Sequence, residues 1–248
     1  MTSKKRLSKK LSITSSIVVG ITLFIICLNG SPTVSKQDAL FINSFLTSWS
    51  MQANAQEIHS SMNREVEFIS RVQDSIVSQI AHEVVSKKEF GNVRFYFENK
   101  KGQCFDRSIL LEKILKHFGF KVRHAFIFFT EGSGFNQTRD FFSKGTQSHA
   151  LTEVKTKEGW MAVGTNADWI GYTTSGAVLT LKDLRHRLKS KLPIDLCGSI
   201  VKGEEFWKAK NSEFRYVYGL YSRHGRFMKP YTFIPDFNLR MLFYNLGL

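Results

Sequence analysis

One stretch decides how this chain folds, and it reads Gly102-Gln103-Cys104-Phe105-Asp106-Arg107. Beyond it, apolar residues recur at helical spacing and a glycine closes the pattern: Leu110, Leu111, Ile114, Leu115, Phe118 and Gly119. This pattern predicts an amphipathic helix that begins at Cys104 and is capped at Gly119. The free N–H groups and the dipole of a helix N-terminus favour an anion, so we expect them to lower the pKa of the Cys104 thiol.

A reactive thiol also needs a base, and His149 is the predicted one. It opens an alternating pattern at 149–154, directly after a polar, glycine-containing stretch at 130–148. Functional residues often lie where a loop meets a regular element. The other histidines fall on predicted helices, inside a strand or in a turn: His59, His82, His117, His124, His186 and His224. We expect His149 to accept the thiol proton, and such a pair to react with iodoacetamide faster than a free thiol.

The order of the predicted elements indicates an α+β fold. Helices are expected at residues 37–50, 58–84, 104–118 and 181–192, and extended segments at 93–97, 121–129, 149–154 and 160–163. Helices come first and antiparallel strands follow, unlike the alternation of a parallel α/β sheet. We divide the chain into a leader at 1–35, a helical segment at 36–90 packed on the core, and a main domain at 91–248 with an aromatic and basic C-terminal extension.

Four motifs within residues 99–170 resemble the transglutaminase-like superfamily. They are Gly102-Gln103-Cys104-Phe105-Asp106, Phe118-Gly119-Phe120-Lys121-Val122-Arg123, His149-Ala150-Leu151-Thr152-Glu153-Val154 and Gly159-Trp160-Met161-Ala162-Val163. The resemblance implies a papain-like fold, in which the helix carrying the cysteine packs against an antiparallel sheet carrying the histidine. It also implies that Cys104 is the nucleophile and His149 the base of a cysteine hydrolase or acyltransferase. Such enzymes form a thioacyl intermediate that water or an amine resolves.

The third member of the expected Cys-His-Asp or Cys-His-Asn triad departs from the family pattern. The family usually has Asp directly after the second strand, and this chain has Gly164 there, which cannot orient an imidazole. Asn166 and Asp168 follow at alternate positions, and either is a candidate for the role. Glu153 is another candidate, although its strand position suits a solvent-facing residue equally well. An incomplete triad would instead suit weak catalysis, or a non-catalytic binding or scaffold module of the same fold.

The N-terminal residues are typical of an export signal. A short head holds five basic residues (Lys4, Lys5, Arg6, Lys9 and Lys10), and the 25 residues at 11–35 carry no charge. A helix of that length spans a bilayer core of about 30 Å. The basic head would stay on the cytoplasmic side, so we expect a single-pass membrane anchor and a periplasmic or otherwise extracytoplasmic main domain. A cleaved signal peptide is the alternative, because the strongly apolar part covers only residues 17–28.

The charge and the cysteine content limit which substrates, partners and cofactors we expect. The formal net charge is +14, but the basic residues are scattered. Scattered basic residues suit a solvated surface, or attraction to an acidic envelope polymer or anionic headgroups, and we expect no nucleic-acid partner. A peptide or protein substrate is what the resemblance implies. Neither metal-ligand spacing nor a phosphate-binding loop occurs in the sequence, so we expect no metal and no cofactor. Cys27 lies in the membrane segment, and a disulfide between Cys104 and Cys197 is the alternative to a reactive Cys104.

Overall fold

The structure is a computed structural model, and it describes residues 15–21, 33–89, 91–129, 148–196, 214–218, 220–221 and 236–237. A short helical stretch at 15–21 precedes the labelled elements. The helices are α1 (Lys36–Ser48), α2 (Ala55–Ile58), α3 (Met62–Gln79), α4 (Val93–Asn99), α5 (Cys104–His117) and α6 (Leu181–Lys189). The strands are β1 (Lys121–Phe129), β2 (Ser148–Lys155), β3 (Trp160–Val163), β4 (Phe214–Tyr218), β5 (Leu220–Tyr221) and β6 (Asp236–Phe237).

Strands β1 to β4 form one antiparallel sheet in the order β3-β2-β1-β4, and β5 pairs with β6. In the central pair, Ile127 lies opposite His149 and His124 lies opposite Thr152. Helix α5 packs against β1 and β2. The helix that carries Cys104 therefore lies against the strand that carries His149, and the predicted α+β fold with an antiparallel sheet is confirmed.

The main apolar core lies between α5, the sheet and the N-terminal helices. Its buried side chains come from all of these layers: Ile42 and Phe45 of α1, Ile69 and Val72 of α3, Leu111 and Ile114 of α5, and Val154 and Met161 of the sheet. Full burial of one such side chain contributes about 1.5–3 kcal/mol. A second apolar cluster includes Leu151 of β2, Leu184 of α6 and Trp169, which lies between β3 and α6.

A buried ion pair fastens the first helix to the cysteine helix. Lys113 of α5 donates to the Asp38 carboxylate of α1 at 3.0 Å and to the Gly91 carbonyl at 2.6 Å. The same carboxylate caps α1, because it accepts the N–H and the hydroxyl of Ser35 at 2.9 Å each. One side chain therefore both starts α1 and joins it to α5.

The extended segment predicted at 93–97 is wrong, since these residues begin α4. Asn92 caps the helix, and its Oδ1 accepts the Phe95 N–H at 3.1 Å. Arg94 in the first turn pairs with Glu98, one turn further on, at 2.8 Å. A cap and an ion pair at helical spacing outweigh the strand propensity of the aromatic side chains here.

The single long helix predicted at 58–84 is also wrong, because the chain breaks it twice. Helix α2 ends before Ser61, whose hydroxyl caps α3 by accepting the Arg64 N–H at 3.3 Å. Helix α3 ends at Gln79, and Val84 is 63% exposed beyond it. His82 therefore lies in a loop rather than on a helix.

Several sequence predictions fall outside the described residues. These are most of the leader at 1–35, the loop at 130–147, Cys197 and most of the C-terminal extension. Within the part of the chain that the structure describes, no helix is both long and apolar enough to cross a membrane.

Candidate active site

The cysteine helix begins sharply at Cys104 because Asp106 caps its first turn. The Asp106 carboxylate accepts the Gln103 N–H at 3.1 Å and the Tyr96 hydroxyl at 2.9 Å. Gly102 leaves room for this cap, since a Cβ atom there would lie 2.8 Å from the Asp106 Cβ. The helix start that the motif predicts is confirmed.

Cys104 is buried, and within the described residues it forms no disulfide. Burial raises its pKa above the ordinary value, although the Ala150 and Phe105 backbone N–H groups that donate to the sulfur act in the opposite direction. The expected lowering of this pKa is wrong, because the cost of desolvating a thiolate exceeds the gain from the helix N-terminus. The contact with Ala150 also locates the sulfur, since Ala150 directly follows His149 on β2.

His149 is 8% exposed at the start of β2. Burial, together with the nearby His82, Arg107 and His124, lowers its pKa to about 3. The imidazole is therefore neutral at physiological pH, and one of its nitrogens can accept a proton. In its resting state the site combines a neutral thiol with a neutral imidazole.

The turn after β3 brings Asn166 to His149. The Nδ2 atom of Asn166 lies 3.4 Å from the Nδ1 atom of His149. A larger residue at Gly164 would force its neighbours to move, because its Cβ atom would lie 2.8 Å from both the Ala167 carbonyl oxygen and the Trp169 Nε1. The side chain that contacts the imidazole therefore comes from within the turn, two residues after the position at which the resemblance implies an Asp.

Hydrogen bonds from three elements hold this turn. The Thr165 hydroxyl donates to the Ala150 carbonyl of β2 at 2.6 Å. Gln73 of α3 donates to the Ala167 carbonyl at 2.5 Å. Arg107 of α5 donates through Nη1 to the Thr165 carbonyl at 3.2 Å. The turn that carries the candidate orienting residue is thus tied to the strand of the base and to the helix of the nucleophile.

Asp168 lies on another side of the turn, close to α3. Burial raises the pKa of Asp74 in α3, and the nearby Asp168 carboxylate raises it further. The structure therefore brings Asn166 to His149 and Asp168 to Asp74. The sequence left this choice open.

Glu153 belongs to a separate buried cluster. Its carboxylate accepts from Arg123 Nε at 2.6 Å, from the Tyr218 hydroxyl at 3.0 Å and from the first N–H of α6 at 2.7 Å. The Arg123 guanidinium lies over two rings, 4.3 Å from the Trp160 centroid and 4.0 Å from the Tyr218 centroid. Glu153 is 0% exposed. Neither the orienting role for His149 nor the solvent-facing position is therefore correct for this residue.

Two residues at the site were not predicted from the sequence. Arg107 is 5% exposed and lies one turn after Cys104 on α5. His82 is close enough to His149 to contribute to its lowered pKa, so its assignment to a helix away from the motif is wrong. The spacing from Cys104 was a signal for Arg107, whereas no local pattern indicates His82.

A buried polar layer joins α5 to the sheet behind the thiol. The Ser108 hydroxyl, one turn after Cys104, lies 2.8 Å from Thr152 Oγ1 and 3.2 Å from His124 Nδ1. The Glu112 carboxylate lies 2.7 Å from the same His124 nitrogen. These contacts fix the helix at one height on β1 and β2. Among the described residues, no group of three or more His, Cys, Asp or Glu side chains could hold a metal ion.

Residues 52–165 match the family model described as the transglutaminase-like superfamily. The match begins between α1 and α2 and ends in the turn after β3, so it contains Cys104 and His149 and stops one residue before Asn166. The resemblance drawn from the motifs is confirmed. No curated protein matches the chain at a significant level.

Proposed function

The chain carries a transglutaminase-like superfamily domain at residues 52–165, and on that premise we propose that it is a cysteine enzyme of acyl transfer. Cys104 is the nucleophile, His149 is the general base and acid, and Asn166 orients the imidazole. The substrates are amide or ester acyl groups, foremost peptide and isopeptide bonds. The enzyme hydrolyses these groups or transfers them to an amine.

The proposed reaction has two halves. His149 accepts the thiol proton while the sulfur of Cys104 forms a bond to the carbonyl carbon. The C–N bond then breaks as the proton passes to the leaving amine, and a thioester remains. Water or a second amine attacks the thioester and gives its proton to His149, which returns it to the departing sulfur.

One observation carries this proposal. The sulfur of Cys104 accepts the N–H of Ala150, the residue next to His149, while Asn166 contacts that histidine. These contacts, where α5, β2 and the turn after β3 come together, support the roles proposed for the three residues.

The neutral resting pair determines how the reaction would start. Burial raises the pKa of Cys104 and lowers that of His149 to about 3, so the thiolate would form during attack and not beforehand. The charge of Arg107 favours formation of the thiolate, because it acts to lower the pKa of the Cys104 thiol. The proposed role of His149 is therefore that of a general base, not of a permanent imidazolium partner.

The proposal is tested with p-nitrophenyl acetate as an acyl donor, on protein in which Cys27 and Cys197 are replaced by Ser. We expect one acetyl group on Cys104, located by peptide mass spectrometry, and none there in Cys104→Ala. His149→Gln should lower the acetylation rate by about a hundredfold or more. A folded wild-type protein that carries no acetyl group on Cys104 rules the proposal out.

A non-catalytic binding or scaffold module is a second candidate. The raised pKa of Cys104 and the glycine at the family's Asp position favour it. In that case Cys104→Ala would leave the protein's function in its own cell intact. Loss of that function, with the fold preserved by circular dichroism, contradicts this candidate.

We also propose that the leader at 1–35 exports the domain and anchors it in the cytoplasmic membrane, with a peptide, a protein or an acidic envelope polymer as substrate. The basic head and the 25 uncharged residues at 11–35 support this. A fusion of the leader to alkaline phosphatase, which is active only after export, tests it. Membrane-bound activity supports the anchor, soluble exported activity supports a cleaved signal peptide, and an inactive fusion contradicts export.

A further inference from the structure

The Arg107 guanidinium bridges two segments of the chain that meet at the site. Its Nη1 donates to the Thr165 carbonyl at 3.2 Å and to the Oδ1 of Asn166 at 3.4 Å. Its Nη2 donates to the Ile80 carbonyl, where the chain leaves α3. A planar guanidinium can serve three oxygens in this way because its N–H groups diverge in a fixed fork.

The charge of Arg107 has an unusual environment. The side chain is buried, yet within the described ranges no carboxylate forms an ion pair with it. Its Nε atom likewise has no hydrogen-bond partner among the described residues. A buried cation without a counter-ion destabilises a fold, so its place here calls for a reason other than stability.

The direction of each hydrogen bond around Asn166 follows from the chemistry of Arg107. A guanidinium only donates, so the atom of the Asn166 amide that faces it must be the carbonyl oxygen. The other end of the amide, which lies 3.4 Å from the Nδ1 of His149, is then the NH2 group. An NH2 group only donates, so the Nδ1 of a neutral imidazole must accept, and the ring proton must be on Nε2.

From these contacts we infer that Arg107 is a positioning residue, which fixes the Asn166 amide and thereby holds His149 as the tautomer protonated on Nε2. The inference deepens the proposed function and rests on it, because the single lone pair of Nδ1 holds the Asn166 N–H in the resting site and must be freed before that nitrogen can accept a proton from Cys104. Arg107 acts through Asn166, since it donates to the turn at the Thr165 carbonyl and at that amide.

Other charged or titratable groups also lie near the ring. His82, Arg107 and His124 influence the charge of His149, and Asp106 and Arg107 influence that of Cys104. Each acts on charge through space. The contact with Asn166 is different, because it distinguishes the two ring nitrogens.

The test is the tautomer of His149 in the full-length protein, measured at pH 7 by long-range ¹H–¹⁵N correlation of ¹⁵N-histidine-labelled samples. The His149 signals are assigned by their loss in His149→Gln. We expect a single neutral form with the proton on Nε2. A wild-type ring protonated on Nδ1 overturns the inference.

Two variants test the relay itself. Asn166→Asp offers His149 a carboxylate oxygen, which only accepts, so the proton should move to Nδ1; Asn166 is exposed, and the change should not impair folding. Arg107→Met removes the donor that orients the amide, so both tautomers should appear. An unchanged Nε2 tautomer in folded Arg107→Met contradicts the role of Arg107. If Arg107→Met does not fold, an unchanged Nε2 tautomer in Asn166→Asp contradicts the relay through which Arg107 is inferred to act.

The outcome is independent of the acetylation experiment. A wild-type protein that shows the Nε2 tautomer and its reversal in Asn166→Asp, but no acetyl group on Cys104, supports the relay and contradicts the enzyme. If Cys104 is acetylated but the tautomer of His149 is the same in the wild type and in both variants, the result supports the enzyme and contradicts the relay.

Discussion

A Cβ atom on Gly164 would lie 2.8 Å from the indole Nε1 of Trp169. The chain folds back on itself at this point, where the Gly164 N–H donates to the Trp169 carbonyl at 3.0 Å. Trp169 is 2% exposed and occupies the space that a side chain at 164 would need. The family position of the orienting Asp is therefore closed, and Asn166 contacts His149 from the turn instead.

Restoring the family residue should consequently damage the protein. We expect Gly164→Asp to lower the free energy of unfolding by about 1–3 kcal/mol or more, because the Cβ atom must displace Trp169 or the Ala167 carbonyl. Urea denaturation measures the effect. Asn166→Asp adds the same carboxylate to the exposed part of the same turn, beside the Arg107 guanidinium, and should not lower the free energy of unfolding. Equal stability of the two variants would refute the steric explanation.

The Cys104 thiol should behave as a buried, protonated group. Since burial raises its pKa from 9.0, we expect alkylation by iodoacetamide to be slower than that of N-acetylcysteine near neutral pH, and its rate to rise through pH 9. The protein for this measurement has Cys27 and Cys197 replaced by Ser. A fast rate that is already constant at neutral pH would show a preformed thiolate and contradict this expectation, while agreeing with the one drawn from sequence.

His149 should make folding sensitive to mild acid. The unfolded chain protonates this residue below about pH 6.5, whereas burial lowers the pKa in the folded protein to about 3. The free energy of unfolding should therefore fall as the pH drops from 6.5 towards 3, by up to about 1.4 kcal/mol per pH unit from this group.

The variant His149→Gln isolates that contribution. Its free energy of unfolding, measured by urea denaturation at several pH values, should depend less on pH than that of the wild type below pH 6.5. Above pH 6.5 the two curves should run parallel, because the wild-type ring is neutral in both the folded and the unfolded state. Parallel curves over the whole range would show that His149 is not buried in its neutral form.

The polar layer behind the thiol should contribute to stability. Thr152→Val keeps the shape of the side chain and removes the hydroxyl 2.8 Å from Ser108. We expect a loss of about 1–2 kcal/mol in the free energy of unfolding, since a buried polar group loses a partner. Thr47→Val on the exposed face of α1 is the matched control and should have little effect. Equal effects of the two substitutions would contradict the importance of the layer.

Glu153 should affect folding but not chemistry. Glu153→Gln leaves the largely buried Arg123 without its carboxylate, so we expect a loss of about 3 kcal/mol in stability. Acetylation of Cys104 by p-nitrophenyl acetate, measured per folded molecule, should remain at the wild-type rate. The exposed Glu158→Gln is the control for stability. A slower acetylation rate in folded Glu153→Gln would reinstate Glu153 as an orienting residue.

Elements with a strong local pattern were predictable. Helix α5 has its apolar period, a cap at its first turn and Gly119 with φ +88° at its end, and β1 to β3 have the expected strand patterns. Residues 93–97 were misread because their aromatic side chains suit a strand. The helix at 58–84 was misread because a continuous apolar stripe conceals the cap at Ser61.

The candidate site was predictable only where motif residues lie on such elements. Cys104 and His149 follow from a helix start and a strand start. Asn166 could not be preferred over Asp168, because alternation assumes that the strand continues beyond Val163, whereas the chain turns at Gly164. His82 could not be found at all, since it reaches the site only through the path of the loop after α3.

The α+β class, the family resemblance and the candidate pair Cys104 and His149 can be inferred from sequence, since each depends on patterns of side chains near one another in the chain. Which side chain contacts His149, where the buried charge of Arg107 lies and in which direction the pKa of Cys104 moves are visible only in the folded chain. These depend on residues distant in sequence and on the exclusion of water. Desolvation is a property of the packed interior, and a helix start read from sequence does not reveal it.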